Sequence, residues 1–217
     1  ISGNYYSQDG TVKGTSFDRY NARVNVDHKL AKDLNVGANI SMSSSKNNRV
    51  EGDQTLFGPL PNALSIPAIF PVYNQDGTYN EDGPYANPVA IYKEAVNVAK
   101  STRNNGNIYL DYSFLYGFKF TSKIGIDLYN LREHGYDPIT ERQGAKYNGL
   151  GIEGTTNVSN LVNSNVLQYV KSFDKVHNID LLAGYSFEKY ARTSTYIEAI
   201  DFPNENFQYI TSAGTIR

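Results

Sequence analysis

The sequence predicts an all-β chain: an antiparallel transmembrane β-barrel segment of about seven strands with long external loops. Three observations predict it. Apolar and polar residues alternate with period two over five segments, and 25 of 27 positions on one face are apolar, so each strand has a dry and a wet side. Short and long connections alternate along the chain. Aromatic side chains gather where strands end.

The strands fall near residues 1–7, 17–30, 34–44, 106–116, 118–130, 163–173 and 177–190. In the second, Tyr20, Ala22, Val24, Val26, His28 and Leu30 share one face, opposite Arg19, Asn21, Arg23, Asn25, Asp27 and Lys29. The third sets Leu34, Val36, Ala38, Ile40 and Met42 against Asn35, Gly37, Asn39, Ser41 and Ser43. The fourth has Ile108, Leu110, Tyr112, Phe114 and Tyr116 on its dry face. The fifth has Phe118, Phe120, Ser122, Ile124, Ile126 and Leu128, opposite Lys119, Thr121, Lys123, Gly125 and Asp127. The sixth is weaker, with Leu167, Tyr169 and Phe173 dry but Val166 and Val170 on the other side. The seventh carries Ile179, Leu181, Ala183, Tyr185 and Phe187.

Residues 31–33, 116–117 and 174–175 read as tight turns. Long outer loops follow near 45–105, 131–160 and 191–217, while 8–16 is a short member of that class. A connection of some 60 residues is foreign to a compact soluble domain. Eleven strand residues span roughly 36 Å, enough to cross a hydrocarbon layer when tilted. Tyr112, Phe114, Tyr116, Phe118 and Phe120 surround one short turn, and Tyr5, Tyr6, Phe17 and Tyr20 flank the opposite strand ends, as two interfacial girdles would. A soluble β-sandwich, with the dry face as its core, is the competing reading.

Composition excludes several classes. A net charge of −2 does not suggest nucleic acid. There is no cysteine, hence no disulfide scaffold and no thiolate site. No apolar run approaches the length of a membrane-spanning helix. The wet face is rich in neutral polar groups, with 24 Asn and 17 Ser in the chain, which suits a watery lumen. His28, His134 and His177 lack metal-ligand spacing, and Gly184-Tyr-Ser-Phe-Glu misses the hydrolase nucleophile elbow at its last position. The expectation is a non-enzyme without a cofactor. Seven strands cannot close around a wet interior, so the chain reads as a middle piece of a larger barrel.

The words FDRYNARVNVDHKL (17–30), LNVGANIS (34–41), NAL (62–64), PVYNQDGTY (71–79), NPVA (87–90), GNIYLDY (106–112), GFKFTSKIGID (117–127) and HNIDLLAGYSFE (177–188) occur in this order. Together they resemble the SusC/RagA family of TonB-dependent outer-membrane transporters, over nearly the whole chain. The resemblance implies a 22-stranded barrel in a Gram-negative outer membrane, closed by an N-terminal plug. It implies energy from the TonB–ExbB–ExbD complex acting on that plug, a SusD-like surface lipoprotein as lid, and oligosaccharides or peptides as cargo. Nothing in these residues resembles the plug or the TonB box. A passive porin or adhesin wall is the alternative within the membrane class.

Candidate sites follow. Tyr73, Tyr79, Tyr85 and Tyr92 in the first long loop offer stacking faces to a sugar or a lid protein, or pack the loop on itself. Residues 54–71 are broken by Pro59, Pro61, Pro67 and Pro71 and should be irregular with short helical turns, and 88–99 predicts a short helix with Pro88 in its first turn. Asn74-Gln-Asp-Gly and Asn80-Glu-Asp-Gly are good turns, and Asp76 and Asp82 are weak calcium candidates because no EF-hand loop is completed. No other metal site is expected. Arg19, Arg23, Asp27, Asp111, Lys119, Lys123 and Asp127 should face the lumen, touching the plug, the cargo path or one another.

Overall fold

The computed structural model describes residues 1–50, 58–174 and 176–217. Gln54, and the residue Lys175 of the third expected turn, lie outside these. The described residues form one antiparallel meander of eight strands in sequence order. They are β1 (Ser2–Asp9), β2 (Ser16–Ala31), β3 (Leu34–Asn48), β4 (Val96–Phe114), β5 (Phe118–Asp137), β6 (Leu150–Phe173), β7 (His177–Ile200) and β8 (Thr215–Ile216). Short helices α1 (Pro59–Ser65) and α2 (Pro88–Glu94) lie between β3 and β4, and α3 (Arg142–Ala145) between β5 and β6. Among the described residues no helix is long and apolar enough to cross a membrane.

Period-two alternation carries through the register. Val26 pairs with Ala38, Ala38 with Ile108 and Ile108 with Ile124, so one face is apolar across four strands. The neighbouring row, Asn25, Asn39, Asn107 and Gly125, lies on the other face. The apolar face is left bare: Ile108 is 58% exposed and Leu181 61%. Such a surface is stable only under an apolar cover, which a bilayer supplies. Its polar exceptions satisfy one another, as lipid demands. Ser122 donates to Asn165 Oδ1 at 2.8 Å, and Asn165 Nδ2 donates to Asn163 Oδ1 at 2.6 Å.

The lower aromatic girdle forms as expected. Tyr112 stacks on Phe114 (5.4 Å), Phe114 on Phe118 (5.7 Å), and Phe118 meets Tyr169 (4.4 Å). The upper one is split. Tyr5 and Tyr20 stack on the apolar face at 4.7 Å, but Tyr6 and Phe17 pair with Arg19 and Gln8, which puts them on the polar face. A one-residue offset reverses the side to which a strand residue points, so proximity at a strand end does not make a girdle.

Three expectations about boundaries need correction. β4 begins at Val96, β5 reaches Asp137, β6 begins at Leu150 and β7 reaches Ile200, so the long connections shrink to 49–95 and 138–149. The upper strand halves, such as 100–105 and 155–157, are polar on both faces and so carry no alternation. Both faces are wet above the apolar band, and the backbone ladder alone continues the strand there. An eighth strand of two residues, β8, pairs with Ala199 and Ile200. The helix expected over 88–99 ends at Glu94, because Val96 is claimed by pairing with Tyr136.

The hairpins step downward along the sheet. Leu34 at the start of β3 pairs with Tyr112, yet β4 runs on to Phe114. Phe118 at the start of β5 pairs with Tyr169, yet β6 runs on to Phe173. This stagger is the shear that strand tilt requires in a barrel wall.

Among the described residues, packing of the kind found in water occurs only at the loop end. Tyr136, Ala199 and Phe202 form a buried cluster, with Tyr136 and Phe202 edge to face at 5.1 Å. It folds the segment after β7 over the apolar face above the band. Tyr209 stacks on His134 at 5.0 Å in the same layer.

Candidate functional site

The polar wall comes first. On it Arg103 pairs with Asp127 (2.5 Å), Lys119 with Asp111 (3.2 Å), and the Tyr109 hydroxyl donates to Asp27. Thr121 Oγ1 also donates to Asp111, at 2.6 Å. Four of the seven expected lumen residues, Asp27, Asp111, Lys119 and Asp127, are therefore engaged with wall neighbours. Arg103 was missed by the sequence reading because it lies in a stretch read as loop. The Tyr109 ring lies across Gly37, where an added Cβ would come within 2.4 Å of it. A glycine there lets the ring lie flat on the wall and reach Asp27.

Arg19, Arg23 and Lys123 have no ion-pair partner within 4.0 Å among the described residues. Arg23 and Lys123 line a shallow cavity of about 470 Å³, together with Asn39, Asn105, Asn107 and Asp127. Gly125, in the row of Asn39 and Asn107, makes room for it. Amides each offer a donor and an acceptor, so this wall can bind hydroxyl-rich or amide-rich molecules without demanding a charge.

The loop tyrosines come second. The structure brings Tyr73 and Tyr79 together, bridged as an isolated β-pair with rings 5.5 Å apart. The Tyr79 hydroxyl donates to Glu94 Oε1 at 2.6 Å, and Lys93 Nζ donates to the Tyr73 hydroxyl at 3.0 Å. The Glu94 bond, aided by burial, pushes the Tyr79 phenol up to about 12. Tyr92 lies on α2, and its carbonyl would stand 3.2 Å from a Cβ on Gly14, in the loop before β2. Tyr85 lies apart, lining a cleft of about 260 Å³ with Asn62, Glu141 and Arg142. The four residues are not one stacking platform.

The Asp76 carboxylate is spent on a turn, whereas Asp82 joins its turn through the backbone. Asp76 Oδ1 accepts from Thr78 N and Oγ1 at 3.0 and 2.6 Å, bonds that hold its carboxyl below the usual range. The Asp82 N–H donates to Asn80 Oδ1 at 2.9 Å. Among the described residues no three acidic or histidine side chains converge on a metal position.

Two loops interlock through Arg142. Its Nη2 donates to the carbonyls of Glu81 and Gly83, and its Nε lies 3.3 Å from Glu81 Oε2. Burial raises Glu81 above its ordinary range, partly offset by the Asn87 N–H and by Arg142. Burial likewise raises Glu141, which caps α3 through Gln143 N and Gly144 N. A raised acid favours docking at pH below its unfolded value and loses that contribution as pH rises through its folded one. Arg142→Met removes the offsetting cation, so Glu81 should rise further. Loop protection in hydrogen exchange should then fall roughly tenfold or more at pH 7 and less at pH 5. An equal loss at both pH values would show that Arg142 acts only through the two carbonyls.

No protein-family model matches the chain. It is similar to TonB-dependent receptor P3 of Formosa agariphila, at 31% identity over 220 residues, 96% of this chain and 22% of that protein. It is similar to TonB-dependent receptor P26 of the same organism, at 29% over 214 residues, 93% of this chain and 20% of that one. The fold matches a chain of the RagAB peptide importer in its open-open state with a TM-score of 0.77 at 17% identity, covering 98% of this chain and 25% of that one. The closed-closed state gives 0.70 at 18% identity, covering 100% and 26%. The chain is a β-barrel segment of the TonB-dependent receptor kind, and it shares its fold with a chain of the RagAB importer. It spans about a fifth of the length of the relatives it matches. The bare apolar face is thereby a barrel exterior and not the core of a soluble sandwich, and the asparagine-rich face looks into the lumen.

Proposed function

We propose that this segment forms part of the wall and outer loops of a TonB-dependent importer in a Gram-negative outer membrane. Its cargo is oligosaccharide or peptide, captured with a SusD-like surface lipoprotein. TonB–ExbB–ExbD supplies the energy through the plug that the family resemblance implies. The observation that carries this reading is the two-faced sheet, bare and apolar outside and lined by asparagine amides inside. The unpaired cations Arg23 and Lys123 beside those amides suit carbonyl, hydroxyl and carboxylate groups passing along the wall. The loop residues 58–95 and 138–149, locked together by Arg142 and Glu81, offer a firm ledge for a lid.

The test is uptake of labelled oligopeptides and oligosaccharides by cells carrying the full-length protein, with and without TonB. Uptake of one class that stops without TonB is the expected result. Uptake that continues without TonB would establish the passive-porin alternative, and surface binding without uptake the adhesin one.

A further inference from the structure

Four cations stand on the outward face at one height. Counted from the short-turn end of each strand, Lys46 is twelve residues beyond Leu34 on β3, and Lys100 is fourteen from Phe114 on β4. Arg132 is fourteen beyond Phe118 on β5, and Lys189 twelve beyond His177 on β7. Three are contiguous, since Lys46 pairs with Lys100 and Lys100 with Arg132. Register partners lie about 5 Å apart at Cα, so the three heads can converge on one multivalent anion. All are exposed, and none has an ion-pair partner within 4.0 Å among the described residues. Asp18, paired in register with Lys46, accepts a hydrogen bond from the Tyr5 hydroxyl at 3.0 Å. Even counting Asp18, the row keeps an excess of positive charge.

The height is what gives the row a meaning. Twelve to fourteen strand residues are roughly 40–46 Å along the chain, or about 30 Å once tilted, which is the far edge of a hydrocarbon core. Just below lie the apolar outward residues Met42 and Leu128 and the Tyr5–Tyr20 stack. Just above, Tyr209 covers His134, which also lies 2.7 Å from Glu153. The cations thus occupy the layer between acyl chains and external water.

We propose that Lys46, Lys100 and Arg132 bind the phosphate groups of a membrane lipid headgroup in the external leaflet. The proposal rests on the barrel orientation and not on the cargo or on TonB. The experiment uses the full-length protein, delipidated in neutral detergent and titrated with diphosphoryl lipid A or its dephosphorylated form, with bound lipid counted by native mass spectrometry. Wild type should retain the phosphorylated form only. Lys46→Gln/Lys100→Gln/Arg132→Gln should weaken retention by on the order of a hundredfold. Lys46→Arg/Lys100→Arg/Arg132→Lys should keep it, and heat-modified gel migration reports that each barrel is folded. Equal retention by the triple glutamine variant, or of the dephosphorylated lipid, would overturn the assignment. Displacement of the lipid by millimolar inorganic phosphate would reassign the row to a soluble anion and overturn it equally. Lipid counts and uptake are separate readouts, so failure of one does not imply failure of the other.

Discussion

Asn87→Ala is expected to release the first long loop while leaving the wall intact. Asn87 is 2% exposed and joins three parts of that loop. Its Nδ2 donates to Val72 O at 2.7 Å and to Asn80 O at 3.2 Å. Its Oδ1 caps α2 by accepting from Val89 N and Ala90 N at 3.0 and 3.4 Å, and its own N–H donates to Glu81 Oε2 at 3.1 Å. Alanine removes the cap, worth about 1 kcal/mol. It also orphans the Asn80 carbonyl and takes one of two donors from Val72 O, which keeps the Asn80 N–H at 3.0 Å, at about 1–3 kcal/mol more. A loss near 3 kcal/mol would speed local hydrogen exchange over 58–95 by roughly a hundredfold, with β4 and β5 amides unchanged. Asn87→Asp keeps the cap and loses the two donors, so it should fall between wild type and alanine. Unchanged exchange in the alanine variant would mean that α1, α2 and the Tyr73–Tyr79 bridge hold the loop without it.

The wall was legible in the sequence where its two faces differ. Five segments with a strict period could be assigned a dry side and a wet side, and the register honours them. Legibility stopped where the environment became the same on both sides. Residues 100–105 and 155–157 are strand, but nothing in their polar runs says so. Arg103, the ion-pair partner of Asp127, was therefore invisible, while Asp127 lay in a segment whose alternation gave it a face. Tyr6 and Phe17 show a different limit, because an aromatic near a strand end reveals its height but not its face. In the loop, Pro88 did signal a helix start, since Pro fits the first turn. It could not signal that the preceding Asn87 side chain caps the helix and also reaches Val72 and Asn80, which are brought near only by the folded loop. The tyrosines were readable as a group by composition, whereas the Tyr79–Glu94 bond that pairs Tyr79 with α2 depends on chain reversal at 74–78.

Ile108→Arg is expected to be the most damaging single change on the wall, and Asn105→Arg three residues away nearly silent. Ile108 faces outward among Ala38 and Ile124, close to midway between Phe114 at the lower girdle and Asn104 at the upper edge of the apolar band. An arginine there must ionise within hydrocarbon or drag water to itself, at about 2–4 kcal/mol. Asn105 faces the lumen between Ser41 and Asp127, where an arginine stays hydrated and gains an acidic neighbour. Tyr20→Arg, at the band's upper edge, should cost only about 0–1 kcal/mol. Denaturant titration of the full-length protein in lipid vesicles measures all three. Ile108→Phe separates lipid from protein as the cover of this face. Fluid acyl chains make room for the larger ring, whereas a close-packed core would resist it by about 1–3 kcal/mol. A silent Ile108→Phe beside a damaging Ile108→Arg is what lipid contact requires. A damaging Ile108→Phe would mean that another protein surface seats against this part of the wall.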